Sequence, residues 1–145
     1  MYYRERPEGF DPKIEVVGCF VQHNDEIILL LRQDHKPQGN TWGIPSGKID
    51  DGEDPKITVQ RETEEETGLR IPEDEIFFHS TFYVRYDDYD FIYHVFSAKL
   101  DNKFEIAINE LEHKDAIWIS PVKALDLPLI EDLDGCIKIF FGFQG

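Results

Sequence analysis

Residues 54–68, DPKITVQRETEEETG, carry the signals for both ends of one helix. Asp54 can accept the free N–H groups of a first turn, Pro55 has its φ already set for that turn, and Gly68 suits a left-handed stop. A helix is therefore predicted over 55–67. Its core-facing apolar set is thin: Ile57 and Val59 early on, then little until Leu69. Glu62, Glu65 and Glu66 stand at i, i+3 and i+4, which places three carboxylates within one arc of about 100°. Like charges at these spacings cost a few tenths of a kcal/mol per pair. Glu64 points elsewhere, to solvent. An exposed acidic helix is the plain reading, and a cation site is the alternative. A hard divalent ion such as Mg²⁺ needs oxygen ligands placed in advance while it keeps several waters. Arg61, beside the trio, can hold one carboxylate by a charge-assisted hydrogen bond.

Such a helix needs a sheet to lie on, and the flanking sequence supplies strands. Ile14–Gln22 and Glu26–Arg32 read as a hairpin closed by Asn24-Asp25. Residues 33–52 hold four Gly and two Pro among polar neighbours, so they form a long loop or short strands around Trp42 and Ile44. A loop of that length in a compact domain is more often functional than idle. Ile76–Tyr86 and Phe91–Leu100 are further strands, with a shorter one near Phe104–Ile108 and another at Ala116–Ile119. Ser120-Pro121 starts a helical turn, and Ile130, Leu133, Ile137, Phe140 and Phe141 recur at the spacing of a terminal helix. The 145 residues, 41% hydrophobic and 31% charged, fit a single globular domain spanning 1–145 with a mixed sheet and helices packed on it.

Fifteen Lys and Arg against thirty Asp and Glu give a formal charge of −15, so an extended basic surface for nucleic acid or an anionic membrane is not expected. An acidic protein that binds phosphates needs cations between the two negative partners. Cys19 and Cys136 lie in apolar stretches without metal-ligand spacing and read as buried free thiols, as in a reducing cytoplasm. The longest aliphatic run, Ile27–Leu31, is far too short for a membrane span, and MYYRERPEGF has no signal-peptide core.

The stretch GKIDDGEDPKITVQRETEEETGL, residues 47–69, resembles the Nudix box: Gly47, Glu53, Arg61, Glu62, Glu65, Glu66, Gly68 and Leu69 match its positions. The preceding hairpin, the approach from Trp42 to Pro45, and the stretch ending in Trp118-Ile119-Ser120-Pro121 are also similar to family features. Thr63 replaces the usual aliphatic residue, Ser46 a common Gly and Asp50 the usual Glu; none of these removes a carboxylate. The resemblance implies an α/β/α sandwich with a mixed sheet that hydrolyses a diphosphate linkage in a nucleoside diphosphate derivative with Mg²⁺ or Mn²⁺. It implies Glu65 and Glu66 as metal ligands, Glu62 as ligand or as the base that activates water, Glu53 as support for the metal's water shell, and Arg61 as the residue orienting a carboxylate. The Ser46 backbone carbonyl is a further candidate ligand.

Arg32 and Lys48 are candidate phosphate cations. Tyr86 lies at the offset after the box where the dinucleoside-polyphosphate branch carries a Tyr, and can stack on a base. The leading expectation is a nucleoside triphosphate substrate cleaved to monophosphate and pyrophosphate. Alternatives are a dinucleoside polyphosphate or an RNA 5′-pyrophosphate end, or a non-catalytic nucleotide sensor on the same scaffold. The partner is a small nucleotide; a homodimer fits the family, but no sequence feature marks its interface. Three Glu on one helix surround a cation from one side only, so another oxygen or a base is expected opposite them, and the resemblance implies a carboxylate from the loop before a late strand. Glu112 is favoured, with Glu110 next and Glu105 after it, and His113 is read as a solvated neighbour.

Overall fold

The computed structural model describes residues 1–143. An eight-stranded mixed sheet forms its middle layer. Its elements are β1 (Tyr2–Tyr3), β2 (Pro12–His23), β3 (Glu26–Arg32), β4 (Trp42–Gly43), β5 (Ser46–Lys48), α1 (Pro55–Thr67), β6 (Ile76–Arg85), β7 (Asp90–Lys99), β8 (His113–Ile119), α2 (Pro121–Ala124) and α3 (Leu133–Phe141). The expected hairpin is present but short, with Gln22 facing Ile27 and His23 facing Glu26. Beyond it β2 and β3 separate. β2 runs parallel to β7 over most of its length, and carries β5 antiparallel at Val16–Gly18. β3 instead takes β4 and β8. The split admits the turn Ile44-Pro45-Ser46, where the Cys19 N–H donates to the Pro45 carbonyl at 3.0 Å.

Both faces of the sheet are covered. On β3, Ile27 and Leu29 enter one core and Ile28 and Leu30 the other, all four without exposed surface. This explains the unbroken aliphatic run, since a strand buried on both sides has no polar face to alternate with. α1 covers one face through Val59; α2 and α3 cover the other through Ala124, Leu133, Cys136 and Ile137. The result is the α/β/α sandwich. Cys19 and Cys136 belong to opposite cores, so the sheet separates them and both are buried free thiols. No helix among the described residues is long and apolar enough to cross a membrane.

Three expectations need correction. Residues 104–108 form no strand: they pass over the end of α1, where the Ala107 N–H donates to the Thr67 carbonyl at 2.9 Å and Ile106 and Ile108 pack on the α1-side core. Anchored there by side chains, the segment never reaches a sheet edge. Ile130 lies outside the last helix, because its N–H bonds the Trp42 carbonyl and Asp132 turns left-handed (φ 70°) before Leu133. Ile57 is exposed, whereas the inward face of α1 is Thr58, Val59, Gln60, Thr63 and Thr67. Those polar groups are tolerated because they are bonded: Gln60 donates to the Ile71 carbonyl at 2.8 Å and Thr67 to the Thr63 carbonyl at 2.6 Å.

Candidate active site

α1 is held at both ends as its sequence requires. Asp54 accepts from the Lys56 N–H at 2.9 Å, and Gly68 takes φ 78° with its N–H on the Glu64 carbonyl. These caps set where the helix starts and stops. Glu66 accepts the Ser46 N–H at 2.8 Å, which ties β5 to the helix. Glu62 lies against Gly47 so closely that a β-carbon there would overlap the Glu62 carboxyl carbon and stand 2.5 Å from its Oε1.

Arg61 organises the acids around it. Its Nε and Nη2 donate to Glu53 at 3.0 and 2.9 Å, and its Nη1 donates to Glu62 at 3.0 Å and to Glu65 at 3.3 Å. Asp50 completes the ring at 3.3 Å. The fork holds Glu53 in both hydrogen bonds, which drives its carboxyl down to about 2. Glu62 titrates above its ordinary value, first through burial and then through the Glu65 charge.

The three glutamates do not converge as the arc alone suggested. Glu65 is half-exposed on the Arg61 side while Glu66 turns under β5, and no three acidic, His or Cys side chains among the described residues are gathered to grip an ion by themselves. Their mutual repulsion is relieved by a guanidinium on one side and a peptide N–H on the other. Glu66 is left short of positive charge. Burial, reinforced by Glu62 and Glu112, pushes its carboxyl up to about 8 against the opposing Ser46 N–H. An all-oxygen set with one under-compensated carboxylate fits a hard cation such as Mg²⁺ or Mn²⁺. Glu64 pairs with Arg70 at 3.0 Å, away from this group.

A cleft of about 380 Å³ opens from Ser46, Gly47 and Glu66. Arg32, Lys48 and Tyr86, separate in sequence, all line it. Arg32 donates through Nε to the Pro37 carbonyl at 2.8 Å. Tyr86, Tyr89 and Phe91 line it too, with Tyr86 edge-on to Phe91 at 5.0 Å between centroids. Burial pushes the Tyr86 phenol up to about 12, so it stays neutral at ordinary pH.

The loop before β8 brings Glu112 near this end of the cleft. It pairs with Lys36 at 2.8 Å, and its charge reaches Glu66. Glu110 is exposed and offers its backbone carbonyl to Gln33 at 2.8 Å. Glu105 borders a separate groove with Trp118. His113 is not solvated: it is 5% exposed, lines the cleft, and burial drives its imidazole down to about 4. It was missed because only the register of β8 on β3, Arg32 facing His113, carries it inside. Gln38 and Asp132 also line the cleft. Their signal in the chain is conformational, since both have positive φ, 54° and 70°, which the residue types alone do not announce.

The family profile for the NUDIX domain matches residues 12–138. The methanol dehydrogenase activator of Bacillus methanolicus is 33% identical over 130 residues, covering 83% of this chain and 69% of that protein. Nudix hydrolase 26, chloroplastic, of Arabidopsis thaliana is 37% identical over 67 residues, 46% of this chain, and the match spans only 29% of that relative's length. Among solved structures, the MutT protein from Methanosarcina mazei Go1 shares the fold with a TM-score of 0.79 at 23% identity, over 91% of this chain and 95% of that one. With the box helix, the split sheet and a profile match over nearly its whole length, the chain belongs to the Nudix hydrolase family.

Proposed function

We propose that residues 1–145 form one Nudix domain that hydrolyses a diphosphate linkage in a small nucleotide, with a nucleoside triphosphate as substrate and a monophosphate and pyrophosphate as products. The observation that carries this reading is the continuity of the Glu66–Ser46–Gly47 corner with a cleft of about 380 Å³ walled by Tyr86, Tyr89 and Phe91. That volume lies within the range of a small-molecule site. Glu62, Glu65 and Glu66 are the residues that would hold Mg²⁺ or Mn²⁺, with Glu112, whose charge reaches Glu66 from the loop before β8, as the fourth candidate. Such an ion, when bound, supplies charge neutralisation at the phosphates and a lowered pKa for water.

The chain's own groups do the rest. Arg61 keeps Glu53, Glu62 and Glu65 oriented, and Glu62, its basicity raised by burial, is the candidate to accept the proton of the attacking water. Arg32, Lys48 and Tyr86 line the cleft, where the two cations would meet the phosphates and the Tyr86 ring the base. The relatives' names support hydrolysis of this kind: CTP pyrophosphohydrolase of Escherichia coli (strain K12) and RNA pyrophosphohydrolase of Pseudoalteromonas translucida (strain TAC 125) both match.

The deciding experiment is a panel of nucleoside triphosphates, ADP-ribose, a dinucleoside tetraphosphate and 5′-triphosphorylated RNA, with and without Mg²⁺, products identified by chromatography. Release of pyrophosphate from a nucleoside triphosphate only with Mg²⁺ is expected. Preference for either larger substrate corrects the substrate class, and tight nucleotide binding without turnover returns the sensor reading. Two results accompany it. Millimolar Mg²⁺ or Mn²⁺ should raise the melting temperature by binding the native state alone, and Glu62→Gln should shrink that gain; a melting temperature indifferent to both ions counts against the site. Glu112→Gln should weaken metal-dependent turnover at least about tenfold, while Glu110→Gln, altering an exposed side chain, should behave as the parent; the reverse order shifts the assignment by two residues.

A further inference from the structure

The turn that carries Glu112 closes on itself. The Asn109 carbonyl accepts the N–H groups of Glu112 at 3.0 Å and His113 at 2.9 Å, and the Asn109 side-chain oxygen accepts the Leu111 N–H at 3.1 Å. Bonded in this way, residues 109–112 move as one piece. None of the four is buried, and Leu111 is 78% exposed. The turn therefore has no apolar anchor of its own, and its place at the cleft depends on polar contacts with the rest of the chain.

Among the described residues, those contacts come from two side chains just after β3. The Gln33 N–H donates to the Glu112 carbonyl at 3.0 Å, and the Gln33 side-chain amide donates to the Glu110 carbonyl at 2.8 Å. The same amide stands 3.3 Å from the His113 carbonyl, where β8 begins. Lys36, three residues on, pairs with the Glu112 carboxylate at 2.8 Å. Gln33 is itself held in place, because it follows Arg32, whose N–H bonds the Thr41 carbonyl at 3.0 Å and whose Nε bonds the Pro37 carbonyl. The hold works against a repulsion: the charge of Glu112 acts on the buried Glu66 and disfavours its ionised form. Lys36 offsets part of that repulsion, and a turn free to drift would relieve the rest by leaving the cleft.

We infer that Gln33 is a positioning residue for the reaction, fastening residues 109–112 so that the Glu112 carboxylate stays at this end of the cleft. The inference rests on the reading of Glu112 as the fourth carboxylate. In this role Gln33 touches neither cation nor nucleotide and acts through Glu112 alone. Mg²⁺ accepts little departure from octahedral geometry, so a carboxylate on a shifting turn would serve it poorly. Partners one step removed from a metal govern affinity and rate in this manner, through the ligand they orient. Arg32 and Gln33, adjacent in the chain, thus divide two tasks: one side chain lines the cleft and the next secures the acid beside it.

Calorimetric titration of Mn²⁺ into the metal-free full chain, with kcat and KM for the nucleotide that is turned over, tests this on the parent, Gln33→Met, Glu112→Gln and the double variant. Gln33→Met keeps the length of the side chain and removes its donor. It should raise the Mn²⁺ Kd and lower kcat about tenfold each, with the nucleotide KM within about threefold of the parent's. On the Glu112→Gln background it should add less than about twofold, because both changes act through one carboxylate. A parent-like Kd for Gln33→Met beside a weakened Glu112→Gln overturns the inference and leaves Glu112 in its role. A parent-like Glu112→Gln removes that role, and the inference falls with it. Effects that multiply in the double variant also overturn the inference, since Gln33 would then act on the fold at large. Gln33→Asn, one methylene shorter, should weaken Mn²⁺ binding in the same direction; parent-like affinity there overturns the inference even if Gln33→Met fails to fold.

Discussion

Glu66→Gln is expected to lower turnover about a thousandfold, or ~4 kcal/mol of barrier, with the fold intact. Gln has nearly the same shape and its Oε1 can still accept the Ser46 N–H that Glu66 accepts at 2.8 Å. What disappears is the charge that a cation facing the cleft would need. A second readout distinguishes this from a loose helix. Without divalent ions the native-state pKa of Glu66, pushed up to about 8 mainly by burial, lies above its ordinary value of 4.5. Between those values the native state binds more protons than the unfolded one. Stability from this group is therefore fully present below 4.5 and is lost as pH rises through about 8. Gln has no such dependence. In EDTA the variant's melting temperature should gain on the parent's from about pH 5 to about pH 8 and level off above that. Turnover near the parent's at saturating Mg²⁺, or a difference in melting temperature that does not grow with pH, would refute the assignment.

Gly47→Ala is expected to cost about a hundredfold in turnover and about 1 kcal/mol or less in stability. Gly47 faces Val17 in the ladder and its backbone is not left-handed, so alanine is not strained there. The difficulty is the Glu62 carboxyl, whose atoms occupy the space a β-carbon needs. A carboxylate on a flexible stem can swing away, which spares the fold but breaks the 3.0 Å bond to Arg61 and moves the candidate base. If displacement of Glu62 is the whole effect, adding Glu62→Gln to Gly47→Ala should lower turnover little further, since two changes acting through one group do not add. Steady-state kinetics on the two single variants and the double, with thermal melts, measures this. Near-parent turnover for Gly47→Ala, or full additivity with Glu62→Gln, would remove Glu62 from the role.

The helix was legible because its signals are local. Asp54, Pro55 and Gly68 act on backbone groups within one turn of themselves, and all three function as their types predict. The strands were legible for a related reason: β-branched and aromatic runs mark a pleated, buried surface whatever they pair with. Pairing was not legible. The hairpin suggested β2 beside β3, yet most of β2 lies parallel to β7, Ile14 pairing with Phe91 and Gln22 with Lys99, 77 residues on, and only collapse of the whole sheet selects it. The inward face of α1 shows the same limit. Ile57 was the apolar choice, but the capped helix is rotated so that Thr58, Thr63 and Thr67 face inward, the hydroxyls of Thr58 and Thr67 being hydrogen-bonded.

The chain by itself determined the chemistry of its functional groups: which acids share one helix, which arginine accompanies them, and where that helix starts and stops. All of this follows from spacings of a few residues. Tertiary structure decided how those groups meet. It sent Glu65 toward solvent and Glu66 beneath β5, buried His113 through a strand register, and brought Arg32, Lys48, Tyr86 and Glu112 from four separate segments to one cleft or its rim. Those placements depend on the split between β2 and β3 and on burial of both sheet faces, and no short stretch of sequence contains that information, because contacts between distant residues are chosen by the packing of the whole core.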